Sequence, residues 1–173
     1  MRTFFTADTH FGHMGIISSC KRPFANADAM DEALIAQWNA VVGSGDEVWH
    51  LGDFAFRSAK APDAYLSRLR GRKHLIWGNH DAPQVRESAL WASSQQMAEI
   101  GLNGHRIIML HYAMRSWPKS HHGSIHLYGH SHGNLPSDRQ SLDVGVDCWA
   151  FRPVSLGEIK IRLAELPERG GVS

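Results

Sequence analysis

Five short apolar runs in this chain each end in a side chain able to bind a metal ion. Residues 3–7 lead into Asp8-Thr9-His10, and residues 48–51 into Gly52-Asp53. Residues 75–77 lead into Gly78-Asn79-His80-Asp81, residues 107–110 into His111, and residues 125–128 into Gly129-His130-Ser131-His132. Runs of this length and composition read as strands. In α/β sheets, ligands bind just beyond the carboxyl ends of strands. Five separate strand ends can therefore converge on one site.

The spacings within these segments fit that reading. In extended chain, residues two apart point the same way. Asp8 and His10 can then reach one ion together, and His130 and His132 can share an ion or serve two neighbours. Gly52, Gly78 and Gly129 stand just before ligands, where glycine lets the backbone turn sharply beside an ion or a phosphate. The set of Asp8, His10, Asp53, Asn79, His111, His130 and His132 mixes oxygen and nitrogen donors. Such a mixture suits manganese, iron or zinc better than calcium or magnesium alone. Seven ligands exceed one tetrahedral site and suit two sites with a shared carboxylate. Asp53 is the natural bridge, because a carboxylate has lone pairs to spare. The expected cofactor is a pair of divalent ions, manganese first, with iron, zinc, nickel or magnesium as alternatives.

The remaining chain fits around such a site. A length of 173 residues suits one domain over residues 1–173. The helix spacing of Met30, Leu34, Ile35, Trp38 and Val41 predicts a helix over 28–42 capped by Asp28. Further helices are expected over 62–69 and 83–93, and strands over 47–51, 73–77, 96–100, 106–110, 125–128 and 142–146. Residues 156–166 fit a helix through Leu156, Ile159, Leu163 and Leu166, and a strand through Ile159, Ile161 and Leu163. Residues 168–173 read as a frayed tail. The order predicts an α/β protein with two packed sheets and helices outside.

Eighteen basic and seventeen acidic residues leave no basic stripe, which weighs against nucleic acid and anionic membrane as partners. No segment resembles a leader or approaches a membrane span, and Cys20 and Cys148 form no disulfide framework. A cytoplasmic protein is expected. Of the twelve histidines, His50, His74, His105 and His126 read as structural, and His121 and His122 as part of a solvated loop. The tryptophans read mostly as core, although Trp117 and Trp149 follow active-site segments and could stack on a base or aromatic leaving group.

The ordered elements D-x-H, G-D, G-N-H-D, H and G-H-x-H, running from Asp8 to His132, resemble those of the calcineurin-like metallophosphoesterase superfamily. The later segment Asp143-Val144-Gly145-Val146-Asp147, followed by Pro153-Val154-Ser155-Leu156, is similar to small bacterial members. The resemblance implies a β-sandwich of two mixed sheets flanked by helices, with two metals at one edge. It implies Asp8, His10, Asp53 and His132 on the first metal, and Asp53, Asn79, His111 and His130 on the second. A metal-bridged hydroxide would attack phosphorus in line, with His80 protonating the leaving oxygen. Asn79, His80, Arg57 and His13 are the expected substrate contacts. The protein phosphatase branch carries an aspartate that orients the catalytic histidine where Phe56 stands here, which argues against protein phosphatase activity.

The expected function is hydrolysis of a phosphodiester or phosphomonoester on a small molecule or nucleotide. The alternatives are a non-catalytic metal-binding scaffold and a nuclease on single-stranded nucleic acid. A scaffold would be expected to lack His80 or several ligands, and this chain keeps them all. A small chain with an open metal cleft is also compatible with a homodimer.

Overall fold

A computed structural model describes residues 1–168; residues 169–173, which make up most of the expected frayed tail, lie outside the described residues. The strands are β1 (Thr3–Thr6), β2 (Glu47–His50), β3 (Arg72–Ile76), β4 (Ser93–Gln95), β5 (Met97–Leu102), β6 (His105–Leu110), β7 (Ile125–Tyr128), β8 (Ser141–Asp143) and β9 (Val154–Ser155). The helices are α1 (Met14–Ser19), α2 (Ala27–Val41), α3 (Pro62–Leu66), α4 (Pro83–Arg86) and α5 (Leu156–Glu165). One sheet has the order β4-β3-β2-β1-β9, the other β5-β6-β7-β8. β1 to β4 pair in parallel and β9 runs antiparallel to β1. In the second sheet β6, β7 and β8 are parallel and β5 is antiparallel. The result is the expected α/β architecture of two mixed sheets flanked by helices.

Alternation along the strands divides the apolar side chains between two cores. Phe4, Val48 and Leu75 face Met30, Leu34 and Trp38 of α2 and Tyr65 of α3. Their neighbours Phe5, Trp49 and Ile76 turn the other way, to Ile107, Met109, Leu127 and Leu142 of the second sheet. Because β1, β2 and β3 are parallel, and β6 and β7 are parallel, each set of carboxyl ends opens on one edge of its sheet.

Several local expectations are corrected. The cap of α2 is Asn26, whose side chain accepts the Ala29 N–H at 2.8 Å; Asp28 sits in the first turn, paired with Lys60. α3 and α4 stop at Leu66 and Arg86. Beyond α4 the chain turns, with the Trp91 indole N–H on the Val85 carbonyl, and pairs with β3 as β4. Of the segment 156–166, Leu156–Glu165 is a helix and not a strand, with Ser155 and Glu158 forming a reciprocal capping box at its start. Trp117 is buried with its indole N–H on Ser124, and Trp149 donates to the Asp143 carbonyl under the Arg162 guanidinium. Neither is an open stacking platform. Among the described residues no helix is long and apolar enough to cross a membrane.

Candidate metal centre

The ligand loops follow β1, β2, β3, β6 and β7, and their backbones are tied together before any side chain is considered. The Asp8 N–H donates to the Gly52 carbonyl at 3.0 Å and the His10 N–H to the Asp53 carbonyl at 3.0 Å. The buried Asp81 carboxylate accepts three backbone N–H groups, from Asp53, Phe54 and Gly78, at 2.8–2.9 Å, and so joins the loops after β2 and β3. Asp143 plays a similar part for the loop after β7, accepting the Ser131 hydroxyl and the Gly133 and Gly145 backbone N–H groups. A side chain at Gly78 would overlap the Asp53 carboxylate, so only glycine lets these loops approach so closely.

The expectation of extended chain at D-x-H and H-x-H is overturned. Asp8 (φ 58°), His10 (φ 52°), Asp53 (φ 56°), His130 (φ 65°) and His132 (φ 48°) all take the left-handed backbone. That conformation is uncommon for residues other than glycine, with aspartate and histidine among the more tolerant. Its concentration in five of the seven candidate ligands places backbone strain where functional sites keep it. Alternate residues still meet on one side, but through tight turns.

The side chains gather in two groups, each with ligand atoms within 4.8 Å of one another: Asp8, His10 and His132 in one, and Asp53, His111 and His130 in the other. The Asp53 Oδ2 atom lies 3.5 Å from His10 Nε2 and 3.5 Å from His111 Nε2, so one carboxylate oxygen touches both groups. Asn79 joins the second group through Oδ1, 3.1 Å from His111 Nε2.

Hydrogen bonds fix which ring nitrogens face inward. His111 Nδ1 lies 2.7 Å from the Leu51 carbonyl and must donate to it, leaving Nε2 as an inward acceptor. His132 Nδ1 lies 2.7 Å from Asp147 Oδ2 and is held in the same way. Asp147 is itself gripped by two guanidinium N–H groups of the buried Arg22, which also donates to the Asp8 and Thr9 carbonyls. Carboxylate partners of this kind orient metal-ligating histidines. A further grouping of Cys20 with His132 and Asp147 reuses these groups, which are already paired, and forms a layer behind the first group.

The electrostatics fit divalent cations. His10 Nε2 is buried and has no hydrogen-bond partner, a costly state for a polar atom unless an ion completes it. Burial pushes the Asp8 carboxyl up to about 7, against the pull of His132 and His111. Burial holds His10 down to about 2 and also lowers His130. Burial opposes ionisation of Asp53, yet His111, the His80 N–H and His10 keep it well below the usual carboxylate range. His111 and His132 are raised, burial being outweighed by Asp53 at the first and by Asp147 and Asp8 at the second. A buried carboxyl resisting ionisation beside an unpartnered imidazole is what bound positive charge would relieve.

The other sequence-predicted residues fall around this centre. The His80 N–H donates to Asp53 Oδ1 at 2.9 Å, and its ring packs on Phe56 at 4.2 Å and lies 5.5 Å from the His10 ring. Phe56 thus fixes the His80 ring by packing, where an aspartate would have done so by hydrogen bonding. His13 Nδ1 lies 3.4 Å from His10 Nδ1, and burial lowers its pKa. Arg57 is exposed, with its guanidinium over Phe56 at 5.1 Å. His50, His74 and His126 are buried and hydrogen-bonded as structural residues, and His121 and His122 are exposed. Three residues escaped the sequence reading: Arg22, Asp147 as its partner, and Tyr112, whose exposed ring lies 4.7 Å from His130. Asp147 stood in a quoted segment; nothing local marked Arg22.

The family model described as the calcineurin-like phosphoesterase superfamily domain matches residues 1–166. The chain belongs to that superfamily. It is 32% identical over 173 residues to the protein MJ1445 of Methanocaldococcus jannaschii, covering 95% of this chain and 92% of that one. It is 28% identical to the gene 66 protein of Mycobacterium phage L5, covering 98% of each. The fold is similar to the crystal structure of AQ665 from Aquifex aeolicus, with a TM-score of 0.72 at 21% identity over 93% of this chain and 98% of that one.

Proposed function

We propose that this member of the superfamily is a hydrolase of phosphate esters that uses two divalent cations, manganese foremost. The observation that carries the reading is Asp53 Oδ2, placed 3.5 Å from an inward nitrogen of each ligand group. Asp8, His10, Asp53 and His132 would hold one ion, and Asp53, Asn79, His111 and His130 the other. When bound, the ions supply positive charge to the phosphoryl oxygens and lower the pKa of a water molecule.

The chain's own residues supply the rest. His80 stands beside the His10 ring, anchored by its N–H on Asp53 and by Phe56, and donates a proton to the leaving oxygen. Asn79 turns its carbonyl oxygen to His111 and offers its amide N–H groups to a phosphate oxygen. His13, packed against Phe56 at 4.8 Å, holds the substrate on the first-ion side. Arg57 meets the phosphate or its substituent from the exposed rim. The substrate is a small molecule, acted on by one domain spanning residues 1–173. The two free thiols, Cys20 and Cys148, suit a reducing, cytoplasmic setting.

The test is hydrolysis of bis-p-nitrophenyl phosphate with added manganese. Wild type turns over, a chelator stops it, and His80→Ala lowers kcat by roughly 10²–10⁴-fold. Asp53→Asn loses both activity and bound metal. A protein that binds two ions yet hydrolyses neither this diester nor p-nitrophenyl phosphate would be a scaffold, and the proposal would fall.

A further inference from the structure

A cavity of about 330 Å³ opens beside the second ligand group, between Trp77, Asn79, Arg86, Gln96 and Tyr112. A separate cavity of about 390 Å³ lies along Phe56 and Arg57, on the side where Phe56 packs against His80. No residue lines both. The general acid marks the side on which the leaving group departs, so the cavity at Asn79 and Tyr112 faces a different substituent of the phosphorus.

The chemistry of that cavity is specific. The Arg86 guanidinium lies 5.2 Å over the Trp77 ring and donates one N–H to the Gly78 carbonyl at 3.2 Å. Among the described residues, no carboxylate is within ion-pair distance of it, and its buried Nε has no partner. A cation held in place by an aromatic face and a carbonyl, with no anion of its own, is set to bind an acceptor oxygen. Tyr112 supplies a flat surface: the residue is 43% exposed while its ring packs edge-on against His111 and His130 at 5.1 and 4.7 Å. An aromatic face next to a guanidinium without a carboxylate partner recognises a planar ring bearing carbonyl oxygens.

We infer that the Trp77–Arg86–Tyr112 cavity binds the retained arm of a phosphodiester, and that this arm is a planar, acceptor-bearing ring of the kind a nucleoside carries. The inference rests on the phosphoesterase reading above and narrows its substrate to diesters. Attack by water forms a new bond from its oxygen to phosphorus, releases the water's proton to solvent and breaks the bond to the leaving oxygen, which takes a proton from His80; solvent then returns a proton to His80. The product monoester keeps the nucleoside arm in this cavity.

The experiment holds the leaving group constant and varies the retained arm. With manganese, the p-nitrophenyl esters of ethyl phosphate, phenyl phosphate and thymidine 5′-phosphate all release p-nitrophenolate. Wild type is expected to favour the thymidine ester over the ethyl ester by roughly tenfold or more in kcat/KM, the scale of one base–aromatic stack. Tyr112→Ala and Arg86→Met each shrink that ratio towards one. Tyr112→Phe, which keeps the ring, preserves it and controls for folding. Equal kcat/KM for all three arms in wild type, or variants that lower every ester by the same factor, overturn the inference. Hydrolysis of p-nitrophenyl phosphate with none of the diesters also overturns it and leaves the phosphoesterase reading standing. Failure on all four substrates is instead the failure of that reading.

Discussion

Asp8 and His10 are buried, and His132 beside them is held through Asp147 by an arginine that solvent barely reaches, whereas Asn79 and His130 across the site are exposed. The first group is braced in depth: Arg22 fixes Asp147, which fixes His132, and the same guanidinium grips the Asp8 carbonyl. The second group shares the buried Asp53 and His111, but His130 is tied down chiefly through its backbone N–H on the Asp8 carboxylate. Second-layer hydrogen bonds set the orientation and affinity of ligands. The difference teaches that, under the proposed function, one half of the centre would hold an ion in fixed geometry and the other would stay open to substrate.

Removing the brace behind the first half should have the largest effect on stability. Arg22→Met leaves the mostly buried Asp147 without its cation, and breaking a buried pair by removing one partner costs roughly 3–5 kcal/mol. Urea denaturation at pH 7 checks this. A loss below about 1 kcal/mol would mean that Arg22 braces nothing.

Protons should separate the halves next. The folded Asp8 carboxyl titrates at about 7 against an ordinary 3.8. Between those values the folded, metal-free chain holds a proton that the unfolded chain has released. That contribution is fully present below pH 3.8 and is lost as pH rises towards 7, by up to about 4 kcal/mol. Asp53 is shifted the other way and favours folding only as pH rises to its ordinary 3.8, below this window. The buried histidines, held low by burial, favour folding as pH rises over the same range, so the Asp8 contribution reads out as a difference: between pH 4 and 7, metal-free Asp8→Asn should gain stability relative to wild type as pH rises. Parallel pH profiles for variant and wild type would show that the first half does not carry this strain.

The difference between the halves was invisible in the sequence, although the gathering of the candidate ligands was legible there. The ligands could be read because each closes an apolar run, and strand periodicity together with a polar terminus survives in one dimension. Four of them, in D-x-H and H-x-H, could be read only as extended chain, since nothing in the sequence around Asp8 or His132 announces a positive φ. Elements whose formation depends on distant partners were missed: β4 is the polar triplet Ser93–Gln95, held by β3, and β9 is two residues held by β1. Asp28 fits a cap by residue type, yet the helix starts one residue earlier, at Ala27, so Asn26 takes the cap and Asp28 falls in the first turn. Arg22 pairs with a carboxylate 125 residues away, a distance at which no local pattern operates.

Metal affinity offers a smaller and more selective test. Asp147→Asn keeps a side chain near His132 but removes the charge that orients it. Loss of such a partner commonly lowers affinity by about 10–100-fold. Titration calorimetry with manganese should show that loss in one of two binding events only. If both weaken together, the halves are one unit and the contrast fails.

The smallest expected effect is on stability at His130. The side chain is exposed, and its backbone N–H carries the bond to Asp8. His130→Ala keeps that backbone bond and leaves no buried group unpaired. Substitutions at such positions usually stay within about 0.5 kcal/mol. Stability should therefore barely move while the second ion is lost, the reverse of the pattern at Arg22. A His130→Ala variant that unfolds as readily as Arg22→Met would show that the open half is as much a part of the framework as the braced one.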